Sequence, residues 1–104
     1  MHAVPGRVGP MENVRNHVII TGRVQGVFFR STLQQKAYDL GVKGWVRNNY
    51  DGSVEAVFEG SRENVNRITS WCRKGPRGAV VSGVEVRNEE YTGSYSSFSI
   101  KYNW

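Results

Sequence analysis

Two runs of alternating apolar and polar residues, Val42 to Asn48 and Ser53 to Glu59, meet across Asn48-Asn-Tyr-Asp-Gly52. The separator concentrates residues that favour tight turns, so the two runs read as a β-hairpin. A helical repeat stands on each side of it. Before the hairpin, Phe29, Leu33, Ala37 and Leu40 recur at three- and four-residue steps, and Gly41 sits where a helix C-cap belongs. After it, Val65, Ile68 and Cys72 make a second stripe. Ser61 is placed to cap that helix, with Glu63 in its first turn, Arg73 and Lys74 at its end, and Gly75-Pro76 to stop it. A hairpin bracketed by two amphipathic helices leaves few ways to bury every apolar face.

Strands close the pattern at both ends. Val14 to Gly22 places Val18 and Ile20 on one face and His17, Ile19 and Thr21 on the other, and apolar residues on both faces mark an interior strand. Ala79 to about Tyr91 reads as a long fourth strand, Gly93 to Ser96 as a loop, and Ser97 to Tyr102 as a short fifth strand. The order β-α-β-β-α-β, plus that last strand, is the split βαβ or ferredoxin-like arrangement. The expectation is an α+β fold with an antiparallel sheet and both helices on one face.

The 104 residues give room for one such domain. Residues 1–13 carry Pro5, Gly6, Gly9 and Pro10 without periodicity and read as a flexible leader or a cloning remnant; the folded unit spans 14–104. A single cysteine excludes an intrachain disulfide and a cysteine-cluster zinc site. No run approaches the roughly eighteen apolar residues of a membrane helix, and the N-terminus lacks a secretory apolar stretch. A cytoplasmic protein is expected. The net charge of +5 is spread along the chain, which suits nucleic acid, a membrane surface or a small anion without choosing among them.

The topology brings distant residues together. The first and second strands run in the same direction with the third between them, so their C-terminal ends share one edge. The loop from Gly22 to Phe28 therefore meets Asn48. That loop, Gly22-Arg-Val-Gln-Gly-Val-Phe-Phe-Arg30, runs into a helix N-terminus, where amides lack partners and the helix end is partly positive. Gly22 and Gly26 let successive amides converge, a shape that suits a phosphate dianion, and Arg30 adds a planar fork of donors. On spacing alone, an ordinary glycine-rich turn with a surface arginine is the commoner meaning of such a pattern.

The same stretch resembles the signature of the acylphosphatases. Gly41-Val-Lys-Gly-Trp-Val-Arg-Asn48 and Asp51-Gly-Ser-Val-Glu-Ala56 are similar to a second block of that family, and the likeness runs from about Val14 to Tyr102. It implies a small stand-alone acylphosphatase with the ferredoxin-like fold, hydrolysing carboxyl-phosphate bonds to a carboxylate and inorganic phosphate. The family's catalytic arginine and asparagine fall on Arg30 and Asn48. Its phosphate cradle falls on the backbone amides of Gln25, Gly26, Val27, Phe28 and Phe29. No metal or other cofactor is expected. The implied partners are a small acyl phosphate, such as acetyl or carbamoyl phosphate, and inorganic phosphate or similar anions. Neither a membrane partner nor an oligomer is expected. An acyl phosphate is a mixed anhydride with a good leaving group, so positioning and charge stabilisation can carry its hydrolysis.

Other residues have plainer readings. His17 is a strand residue, Cys72 a core residue, and Trp45, Trp71, Tyr91 and Tyr95 belong to packing. Arg73, Lys74 and Arg77 form a basic patch that favours the helix dipole and solubility. Ser31 and Thr32 are placed to satisfy first-turn amides. Arg23 fits a guide for anions and a solvated loop residue equally well. The rival function is a ferredoxin-like RNA-binding module. Ser53 to Glu59 carries two acids and lacks the Lys/Arg-Gly-Phe pattern such a module places on a central strand, so nucleic acid is not expected.

Overall fold

The computed structural model describes residue 9 and residues 11–102. The elements run β1 (Asn13–Arg23), α1 (Phe29–Leu40), β2 (Lys43–Asn48), β3 (Val54–Ser61), α2 (Arg62–Cys72), β4 (Val80–Glu89) and β5 (Phe98–Lys101). β1 starts one residue inside the stretch read as a leader, and the Glu12 carbonyl accepts the Arg62 amide at 2.8 Å. Residues 1–8 and 10, on which the leader reading mainly rests, lie outside the described residues.

The strands form one sheet in the order β4-β1-β3-β2-β5, so β1 is an interior strand as its two apolar faces require. The expectation of a wholly antiparallel sheet is corrected. β1 pairs antiparallel with β3 and β4, and β2 antiparallel with β3, but β5 lies parallel to β2 with Gly44 opposite Phe98. The reason is the route taken after β4. β4 occupies the outer side of β1, which leaves β2 with the other open edge. The chain crosses between the edges at the far end of the sheet, tied down by Glu59, which accepts from the Thr92 amide and hydroxyl and from the Gly93 amide. β5 therefore enters beside the start of β2 and runs with it.

Both helices pack on one face. Phe29, Leu33 and Ala37 of α1 and Val65, Ile68 and Cys72 of α2 meet Val18, Ile20, Val46, Val54, Ala56 and Phe58 in a single core. Ser61 caps α2 by accepting the Asn64 amide at 3.3 Å. α2 ends at Cys72, so Arg73 is its cap residue and Lys74 lies beyond it, in a loop held by the Gly75 amide on the Trp71 carbonyl. Gly44 shows why β2 carries a glycine mid-strand. Its φ is 134°, and an added Cβ would stand 1.9 Å from the Val57 carbonyl oxygen.

The opposite face is polar. Arg15 reaches Glu59 and Glu89, and His17 lies between Glu55 and Glu89 with Trp45 edge-on to it. The strand directions fix the two ends of the molecule. One end collects the C-terminal ends of β1, β2 and β5, the start of α1 and the close of α2.

Candidate functional site

β1 ends in a bulge between Thr21 and Gly22, and Gly22 is the residue that permits it. At φ 121° a Cβ there would meet the Val80 carbonyl oxygen at 2.2 Å. The chain then curls through Gly26 (φ 74°) and Phe28 (φ 60°) into α1. Phe28 is the N-cap residue and no side chain caps the helix. The first turn of α1 holds no acid, and Arg30 is its second residue. A helix start of this kind presents amides and partial positive charge to whatever occupies the space before it. The Ser31 hydroxyl donates to the Phe28 carbonyl at 3.2 Å, so it stiffens the curl rather than satisfying an amide.

Arg30 and Asn48 line one cavity of about 310 Å³, together with Val24, Gly26, Phe28, Phe29 and Ser31. The cavity is completed by Ile100 and Tyr102, which the reading of the sequence had not connected to it. The Arg30 guanidinium carbon stands 5.3 Å from the centre of the Tyr102 ring, a cation–π distance that ties the long side chain to the segment after β5. Only the parallel placement of β5 brings these two residues to Asn48. No local pattern in Ser97 to Tyr102 announces which edge that strand joins.

Gln25 and Val27 are placed differently from the other loop residues. Neither lines the cavity. The Gln25 side chain turns toward the β2–β3 turn, where its amide nitrogen donates to the Asn49 carbonyl at 2.7 Å and to the Ser53 carbonyl at 2.9 Å. This pair of hydrogen bonds clamps the curl to the residue that follows Asn48. The turn is itself ordered by Asp51, which accepts from the Ser53 amide and hydroxyl; these bonds hold its carboxyl below the usual range. Val27 faces a neighbouring basin on the α2 side.

The remaining candidates lie elsewhere. His17 is on the polar face, across the sheet from the helices. Cys72 is sealed in the core, and burial pushes its thiol up to about 12, which keeps it protonated and unreactive at neutral pH. Trp71 packs edge-on against Phe29 at 5.3 Å, beneath the curl. Among the described residues no group of three His, Cys, Asp or Glu side chains is placed to hold a metal ion, and no helix is long and apolar enough to cross a membrane.

Residues 16–100 match the model of the acylphosphatase family. The chain is 50% identical over 92 residues to an acylphosphatase of Pelotomaculum thermopropionicum, covering 88% of this chain and 100% of the relative. Among solved structures, it is similar to an acylphosphatase from Coxiella burnetii, with a TM-score of 0.81 and 38% identity over 86% of this chain and 93% of that one. The acylphosphatase from Bacillus subtilis matches with a TM-score of 0.82 and 31% identity, over 86% and 99% of the two chains.

Proposed function

This chain belongs to the acylphosphatase family, and from that premise we propose that it hydrolyses acyl phosphates in the cavity shared by Arg30 and Asn48. The observation that carries the reading is that shared lining. Two polar side chains from different elements line one cavity at the uncapped start of a helix, and no acid lines it among the described residues. A phosphoryl group seated there would face the amides of the Gln25–Phe29 curl and the Arg30 fork, both of which favour concentrated negative charge. Asn48 stands on the β2 side and would hold a water molecule by its carboxamide, in line with the bond to be broken.

The reaction balances without a further reactant. The water oxygen forms a bond to phosphorus as the bond from phosphorus to the acyl oxygen breaks. The bonding electron pair leaves with the carboxylate, and both water protons end on the phosphate released. Because neither a histidine nor a carboxylate is among the described residues that line the cavity, a phosphoryl oxygen of the substrate takes the first proton. Arg30 and the amides offset the charge shared among the phosphoryl oxygens in the transition state.

The test is phosphate release from acetyl phosphate by the wild type, Arg30→Ala and Asn48→Ala, with circular dichroism to show that each variant is folded. Losing a fixed donor of this kind lowers kcat by about a hundredfold to a thousandfold. Folded variants that turn over as fast as the wild type would reject the site. A pH–rate profile that required a protein base, traced to one side chain by mutation, would reject the substrate-assisted proton transfer.

A further inference from the structure

Beyond Phe28 lies a second concavity, an open basin of about 790 Å³ bordered by Val27, Phe28, Trp71, Lys74, Pro76 and Arg77. It is built against the phosphate curl. A Cβ on Gly75 would stand 2.8 Å from the Phe29 ring, and one on Gly78 would stand 3.9 Å from Val27. Phe28 separates the two spaces and borders both. It is 81% exposed, on a left-handed backbone.

Three observations give the basin a role. The first is direction. Asn48 lies on the β2 side of the curl and the basin on the α2–β4 side. In-line displacement puts the leaving group opposite the attacking water, which sends the acyl part of the substrate toward the basin. The groove of about 600 Å³ along α1 opens by Lys43 and Phe98, on the β2–β5 side, and does not meet that requirement. The second is charge. Lys74 and Arg77 line the basin, are exposed, and form no ion pair among the described residues. The third is polarity. The loops at this end carry Arg23, Arg73, Lys74 and Arg77, and Asp51 alone of the described acids, whereas Glu12, Glu59, Glu63, Glu89 and Glu90 gather toward the other end. An apolar wall of Val27, Phe28 and Trp71 beside two cations suits a short carbon chain that ends in an anion.

Resting on the acyl-phosphate reading, we propose that this basin binds the acyl arm of substrates carrying a second anionic group. Lys74 and Arg77 are then specificity-determining residues for acyl chains that end in an anion over neutral ones. The experiment compares kcat/KM for succinyl phosphate, whose arm ends in a carboxylate, with butyryl phosphate, whose arm is neutral and of similar length. It uses the wild type and the Lys74→Ala/Arg77→Ala double variant. The wild type is expected to favour succinyl phosphate by about fivefold, the size that two exposed ion pairs support, and the double variant to show a ratio near one. The wild-type ratio should also fall as salt is raised. A wild-type ratio near one overturns the proposal, as does a preference that survives in the double variant. An equal loss on both substrates in the double variant also overturns it, marking those cations as general attractors of phosphate. Failure of the wild type to hydrolyse either compound would instead overturn the acyl-phosphate reading itself.

Discussion

Replacing Gln25 by methionine keeps the length of the side chain and removes its amide. Gln25 donates two bonds, at 2.7 and 2.9 Å, to carbonyls of the β2–β3 turn. Those carbonyls keep other partners, since the Asn49 carbonyl also accepts the Gly52 amide and the Ser53 carbonyl the Asn49 amide. The substitution therefore removes two neutral hydrogen bonds without stranding a buried acceptor, at about 1 kcal/mol each. About 2 kcal/mol should be lost from unfolding in urea. The clamp joins the phosphate curl to the neighbour of Asn48, so the same change should loosen the alignment of Arg30 with Asn48. If half to all of that energy appears as misalignment, kcat/KM for acetyl phosphate falls by about fivefold to thirtyfold. Gln25→Glu sharpens the test. At neutral pH its carboxylate would face two carbonyl oxygens that repel it, so it should be less active than Gln25→Met despite its closer shape. A folded Gln25→Met with kcat/KM within twofold of the wild type, or a Gln25→Glu more active than it, would refute the clamp.

Three further outcomes follow from the polar face, the strands and the core. Burial pushes the Glu59 carboxyl up, but the Thr92 amide and hydroxyl, Arg15 and the Gly93 amide outweigh it and hold the group below its usual range; Glu55 is likewise lowered, by Arg47 and His17 acting against burial. A depressed folded pKa means stability that is present above the unfolded value, about 4.3, and lost as pH falls through the folded value. Urea midpoints should accordingly decline below pH 5, and Glu59→Gln should cost about 3 kcal/mol at pH 7 and flatten that decline. Gly44→Ala and Gly22→Ala each drive a Cβ into a strand carbonyl, so each should cost at least about 3 kcal/mol in the same assay, or prevent folding; a loss below 1 kcal/mol would contradict the strand geometry. Cys72 should resist iodoacetamide in the native protein at pH 8 and react fully in 6 M guanidinium (about that concentration suffices for a small domain), as its burial and raised thiol pKa require.

The amino-acid sequence by itself determined the elements and their order. Period-two and period-3.6 repeats are local properties, so Val18 with Ile20, Leu33 with Ala37, and Val54 with Phe58 could be assigned to faces without coordinates. Boundaries moved by one or two residues, and Arg73 and Lys74 fell past the end of α2, because a helix terminus depends on the loop that receives it. The loop motif and the shared edge of β1 and β2 were also legible, and they suggested Arg30 and Asn48 as neighbours. What only the tertiary structure decided were relations across the chain. Whether β5 joins β2 in parallel depends on where Glu59 pins the segment after β4, and that choice delivers Ile100 and Tyr102 to the cavity. Whether Gln25 contributes a side chain as well as an amide depends on where the β2–β3 turn lies. Sequence periodicity reports which way a residue faces; which residue it then meets is fixed by packing between elements, and both the clamp and the basin beside Phe28 arise at that level.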